Sequence, residues 1–366
     1  MTEPELNQLL STITPPDEAA RAAAHAHWAS LAKPLGGLGA LETLLEEAAA
    51  LTGTAQLDLS RRAVLVLCAD NGVVAQGVSQ TDQSVTRAVA ENLAARRTSV
   101  CQMAKTARCE VVPVDMGMAG DSVPGVVNCR IAAGTQDFTQ GPAMTHAEAI
   151  DAIAAGIALV RAQKAQGVQL LATGEMGIGN TTTSAAVLAA LTGADIEAVT
   201  GRGGGLTDEG FLRKKEVLRQ ALALHRPDGS DVIGVLAGVG GLDLAAMTGA
   251  FLGCAHERVP AAVDGFISIA AALCAVRLCP AVRDVLFLSH DSYEVGYRIA
   301  AEALGLQPCL RLGMRLGEGS GCPLLFRVLE GACGVMRGMA TFGEASIEDS
   351  YLDEIRAVDA FTVEAT

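Results

Sequence analysis

Residues 168–183 read Val168-Gln169-Leu170-Leu171-Ala172-Thr173-Gly174-Glu175-Met176-Gly177-Ile178-Gly179-Asn180-Thr181-Thr182-Thr183. The first four residues have the apolar character of a buried strand. The glycines that follow open a helix expected to run to about residue 190, with Asn180 or Thr181 as its N-cap. Unpaired N–H groups and the dipole at such a helix start attract a phosphate. The run is neither a Walker A loop nor a G-x-G-x-x-G fingerprint, and an ordinary strand-to-helix turn accounts for it equally well by pattern alone.

Working outward, similar apolar runs at 63–68, 110–114 and 285–288 read as further buried strands separated by longer helical segments. That alternation predicts a parallel α/β sheet, Rossmann-like and flanked by helices. Thr145-His146-Ala147-Glu148 is a capping box, followed by Ile150, Ile153, Ile157 and Val160 on one helical face and a stop near Gly167. It predicts a crossover helix. Residues 15–52 read as helix, turn and helix, interrupted at 33–37, and residues 323–342 are also helical. The expected organisation is a large α/β domain over 61–322 and a small helical domain formed by both chain ends, 1–60 and 323–366.

Of 366 residues half are apolar but 3% aromatic, so the core must be built from Ala, Leu, Val and Ile. A formal charge of -14 argues against nucleic acid as a partner. Ten scattered cysteines without a C-x-x-C pair read as reduced core residues, and six histidines without an H-E-x-x-H pattern give no metal site. No metal or cofactor is expected. The acidic start lacks a secretory signal and the longest apolar stretch, 265–276, is too short to span a bilayer. A cytoplasmic protein without membrane contact is the expectation.

Three other segments carry chemistry. Residues 201–209, Gly-Arg-Gly-Gly-Gly-Leu-Thr-Asp-Glu, form a second Gly-rich loop running into a helix with Arg213, Lys214 and Lys215 on its early turns. A phosphate contact competes there with a solvated helix face, which base rates favour. Leu316-Gly317-Glu318-Gly319-Ser320-Gly321 sets one carboxylate between glycines, where a shaped loop aims it at a proton donor. An exposed turn with an incidental Glu is the competing reading. Asp70-Asn71, Val263-Asp264 and Ser289-His290-Asp291 follow or end strands, where ligands bind in open α/β sheets, but helix capping explains each acid singly.

Taken together these segments resemble the nicotinate-nucleotide:5,6-dimethylbenzimidazole phosphoribosyltransferase (CobT) family, in the same order over nearly the whole chain. The carriers are KPLGGLGALETL from Lys33, CADNGVVAQGVS from Cys68, GPAMT from Gly141, GEMGIGNTTT from Gly174, VGGLDLAAMTGAFLG from Val239, VDGF from Val263, PAVRDVLFLSHDS from Pro280 and RLGEGSG from Arg315. The resemblance implies a Rossmann-like sheet with a small helical domain, and a homodimer. It implies transfer of the 5-phosphoribosyl group of nicotinate mononucleotide to 5,6-dimethylbenzimidazole, giving nicotinate and α-ribazole 5′-phosphate for the cobalamin lower ligand. Glu318 falls on the family's catalytic base. Glu175, Gly177, Gly179, Asn180, Thr181, Gly203, Lys214 and Ser292 fall on nucleotide-binding positions, and Thr81, Val89 and Leu316 on the base-binding wall. Val89 cannot hydrogen-bond, which implies tolerance among benzimidazoles. The competing readings are an enzyme that uses the same donor with adenine, another benzimidazole or a phenolic, and a noncatalytic nucleotide-binding protein, which has no need of Glu318.

Overall fold

Eight consecutive residues of one strand, Arg62–Ala69, are buried, and the sheet is arranged around them. The computed structural model describes residues 1–358. Its six strands are β1 (Arg62–Ala69), β2 (Cys109–Gly117), β3 (Val127–Asn128), β4 (Leu170–Met176), β5 (Ala261–Val263) and β6 (Leu286–Leu288). They lie in the order β3-β2-β1-β4-β5-β6 and every pairing is parallel. Burial on both faces explains why β1 is a continuous apolar run and not an alternating one. From β1 the chain builds outward to β3, then returns to place β4 against the other edge of β1. The order therefore reverses between β1 and β4, and the carboxyl ends of those strands flank a crevice.

The crossover helix His146–Ala165 begins as its sequence dictates. Glu148 N–H donates to Thr145 Oγ1 at 3.1 Å and Thr145 N–H donates to Glu148 Oε2 at 2.7 Å. Ile150, Ile153, Ile157 and Val160 are buried, and the chain turns away at Gly167 with φ +84°. Its partner is the helix Leu242–Glu257, of which residues 242–255 are all buried. A helix apolar on every side belongs inside a core. The two backbones meet at glycines: a Cβ on Gly249 would overlap the Ile153 backbone, and one on Gly156 the Ala246 carbonyl.

The chain forms two compact units, Met1–Thr14 with Arg61–Leu325, and Pro15–Ser60 with Phe326–Thr366. Within the second, the helices Glu18–Ser30 and Ala40–Thr52 are joined to the later segment by a Leu31–Thr341 bridge and a 2.6 Å contact from His27 Nε2 to the Met336 carbonyl. The expected boundaries of 1–60 and 323–366 require correction. Residues Met1–Thr14 belong to the first unit because the helix Glu3–Leu10 buries Leu6 and Leu10, and Arg258 donates to Thr14 Oγ1 at 2.8 Å. The later boundary falls after Leu325, and residues 359–366 of that segment lie outside the described residues. Among the described residues no helix is long and apolar enough to cross a membrane.

The backbone contact at Gly249 makes a specific demand on stability. Gly249→Ala is expected to destabilise the protein by about 1–3 kcal/mol, the usual cost of overpacking a close core contact. Chemical denaturation measures it, and an unchanged midpoint would mean the two helices separate without penalty.

Candidate active site

β4 ends in Gly174-Glu175-Met176, and the absence of a side chain at Gly174 decides what packs there. A Cβ would collide with the carbonyl of Glu318, so glycine lets a loop from the far end of the unit lie directly on the strand. That loop has an unusual backbone. Gly317, Glu318 and Gly319 all have positive φ, +88°, +61° and +83°. For a non-glycine residue the left-handed region costs of order 1–3 kcal/mol and persists only where the surroundings enforce it.

The enforcement comes from buried carboxylates. Asp264, one residue past β5 and 3% exposed, accepts from Gly321 N–H at 2.8 Å and from Gly319 N–H at 3.1 Å. Glu175 accepts from the N–H of Glu318 itself. Burial pushes Asp264 up to about 7 and Glu175 up to about 8, against the opposing effect of these hydrogen bonds. The half-buried Glu318 carboxylate accepts from Val100 N–H at 3.3 Å, at the start of the helix Ser99–Ala107. Burial raises its pKa above the ordinary value of 4.5, while the N–H groups of Val100 and Ser99 favour the anion.

Asn180 ties the next pair of acids. Its amide donates to Glu175 and, at 3.2 Å, to Asp243. This corrects the expected cap: Gly179, at φ +93°, is the N-cap of the helix Asn180–Thr192. The Asn180 side chain is committed to the two carboxylates. Burial lifts Asp243 to about 6. Beside this group Thr86 Oγ1 accepts from Ile178 N–H at 3.1 Å and so pins the Gly-rich turn.

The second Gly-rich loop closes the opposite wall. Gln80 donates to the Gly205 carbonyl, and Arg202 is held by the Leu206 carbonyl at 2.9 Å and by Asp208. Lys214 is completely buried on the helix Asp208–His225 and donates to Thr181 Oγ1 at 2.8 Å and the Gly201 carbonyl at 3.1 Å. It joins the two loops from behind, and burial lowers its pKa to about 8.

Between these loops lies a cavity of about 300 Å³, at the lower end of the range for small-molecule sites. Thr81, Glu175, Gly177, Gly179, Asn180, Thr181, Gly203, Ser292, Leu316 and Glu318 all line it. Two expected residues do not. Lys214 stands behind the wall, acting on Thr181. Val89, half-buried on the helix Ser84–Ala94, lies one turn beyond Thr86 beside the buried stripe of Thr86, Ala90 and Leu93 and is not among the residues that line the cavity. Asp264 and His290, to which pattern alone assigned no chemistry, also line the cavity. Their sequence signals were a place at strand ends and membership of the segments VDGF and PAVRDVLFLSHDS that carry the resemblance.

A phosphoribosyltransferase family model matches residues 13–347. The nicotinate-nucleotide–dimethylbenzimidazole phosphoribosyltransferase of Clostridium tetani is 43% identical over 353 residues, 96% of this chain and 98% of that protein. That of Ruminiclostridium cellulolyticum is 46% identical over 320 residues, 87% and 91% of the two chains. The crystal structure of CobT from Thermus thermophilus is similar with a TM-score of 0.87 and 42% identity, covering 91% of this chain and all of that one.

The Asn180 bridge carries a pH signature. Glu175 and Asp243 hold protons more tightly folded than unfolded, so their contribution to stability is lost as pH rises from the ordinary carboxylate range toward their folded values of about 8 and about 6. Asn180→Ala removes the donor that moderates both shifts. A penalty of about 1–3 kcal/mol is expected, the cost of a lost bond to a charged group. Denaturant titrations should show it larger at about pH 8 than at about pH 5; a penalty independent of pH would mean that the amide does not interact with ionised carboxylates.

Proposed function

The chain belongs to the nicotinate-nucleotide–dimethylbenzimidazole phosphoribosyltransferase family, and on that premise we propose that its cavity joins nicotinate mononucleotide to 5,6-dimethylbenzimidazole with Glu318 as the general base. The observation that carries the base assignment is a carboxylate on a left-handed residue, held by buried partners and facing the cavity. Its pKa is raised, which makes it a better proton acceptor than an ordinary surface glutamate.

The chemistry asks little else of the protein. One azole nitrogen attacks the anomeric carbon of the ribose from the face opposite the nicotinate. The glycosidic C–N bond breaks, and its electron pair returns to the pyridinium ring, which leaves as neutral-ring nicotinate. The second azole nitrogen gives its proton to Glu318, so the new nucleotide, α-ribazole 5′-phosphate, carries no charge on its base. Inversion converts the β bond into an α bond. The product supplies the lower ligand of cobalamin.

The phosphate end of the donor goes to the two Gly-rich loops, with Gly177, Gly179, Asn180, Thr181, Gly203 and Ser292 around it and Lys214 in support from behind Thr181. Glu175 adjoins the ribose, and Thr81 and Leu316 flank the acceptor base. Arrival of an anion is consistent with a helix start and not with net charge as the attraction. Family resemblance supports a cytoplasmic homodimer. Sedimentation then gives twice the chain mass of 37.5 kDa, and a single-chain mass at working concentration contradicts it.

Replacement of the base tests the assignment. Glu318→Gln keeps the shape of the side chain and removes its basicity, so turnover is expected to fall by about 10²–10⁴, or about 3–5 kcal/mol of barrier. Melting temperature and affinity for nicotinate mononucleotide should stay near wild type. A variant that turned over dimethylbenzimidazole at the wild-type rate at neutral pH would remove Glu318 from the chemistry.

A further inference from the structure

Three peptide N–H groups of one short loop end on two acids that the reaction itself does not consume. Glu318 donates to Glu175, and Gly319 and Gly321 donate to the two oxygens of Asp264 at 3.1 Å and 2.8 Å. The Gly265 N–H also reaches Asp264. Glu175 and Asp264 both border the cavity, but Asp264 is 3% exposed and its carboxylate oxygens are occupied by backbone donors. Two of its three backbone donors, Gly319 and Gly321, belong to the loop that carries Glu318.

Those bonds restrain a backbone that is otherwise unfavourable. Consecutive positive φ angles at 317–319 include one on a residue with a side chain, and such a residue relaxes to right-handed or extended backbone when its restraints go. Relaxation rotates the Glu318 side chain relative to the cavity. We propose that Asp264 is a positioning residue for Glu318: by accepting from Gly319 and Gly321 it fixes the left-handed turn that aims the base at the acceptor. The inference rests on Glu318 being the base and adds a residue that never touches the reacting atoms.

The choice of an aspartate follows from donor counting. Several N–H groups converge on one side chain, and only an ionised carboxylate is an acceptor on every lone pair. An asparagine would turn its own N–H against one of them. The titratable groups facing Asp264 are Glu175, Glu318, His290, Tyr297 and Cys322. His290 Nδ1 lies 3.8 Å from Asp264 Oδ1 and 3.0 Å from Ser289 Oγ, and burial lowers the His290 pKa, which favours a neutral ring. None of these groups supplies a fixed positive charge, so the loop N–H groups are what hold the Asp264 anion.

The experiment compares full-length wild type, Asp264→Asn, Asp264→Ala and Glu318→Gln. Misplacement of a reacting group by an ångström costs about 10²-fold, so kcat of Asp264→Asn is expected to fall by about that factor. Its affinity for nicotinate mononucleotide, measured by calorimetry, and its cooperative melt should be retained, and the acidic limb of its pH–kcat profile should move. Formate, a small carboxylate, should restore turnover to Asp264→Ala when chloride at equal ionic strength does not. Wild-type kcat in Asp264→Asn beside an inactive Glu318→Gln overturns the positioning role and leaves the base assignment standing. An active Glu318→Gln overturns the base assignment itself, and this inference with it. Loss of cooperative melting in both Asp264 variants, or no response to formate, also overturns it, since Asp264 would then hold the fold and not the loop.

Discussion

The approach of the Glu318 carbonyl to β4 at Gly174 is the constraint on which the site depends. Any side chain at that position would lift the loop off the strand and separate three features that now coincide. They are the left-handed turn at 317–319, the bond from Glu318 N–H to Glu175, and the seating of the Glu318 carboxylate on the helix that begins at Ser99. The sheet makes this possible from further away. β4 and β5 are adjacent and parallel, so Glu175 and Asp264 emerge at the same edge of the sheet and can grip one loop from two sides. A reversal of strand order beside β4 opens the crevice into which that loop projects.

Charge poses a second problem, because a chain of net charge -14 binds a phosphorylated anion. Of its cations near the cavity, Arg202 is held by Asp208 and the Leu206 carbonyl and Lys214 is buried against Thr181 and Gly201, whereas Arg315 lines the cavity over the Tyr293 ring. Backbone N–H groups at the start of the helix Asn180–Thr192 are the attraction proposed for the phosphate.

Much of this was legible in the sequence. Continuous apolar runs announced β1 and β4, which are buried on both faces, and β2, which is buried from Pro113 on, and the Thr145–Glu148 capping box placed a helix start to the residue. β6, of three residues, was read from the run 285–288, whereas β3 and β5, of two and three residues, were not read as strands. Gly179 displaced Asn180 as N-cap because the Asn180 amide is claimed by Glu175 and Asp243, a tertiary demand that local rules do not contain. Asp264 was visible as an acid after a strand, but its partners at 319 and 321 lie more than fifty residues along the chain, and only the folded sheet brings them together.

The central claim is that the base is the raised carboxyl of Glu318 and not its neighbour Glu175, which burial raises as well. Selective labelling of glutamate carboxyl carbons allows the Glu318 resonance to be assigned by its absence from a Glu318→Gln sample and followed with pH in the free enzyme. Its titration midpoint should lie above the ordinary 4.5 and coincide with the acidic limb of kcat/KM, which reports ionisations of the free enzyme. A limb that instead followed the Glu175 resonance, with Glu318 titrating elsewhere, would contradict the account.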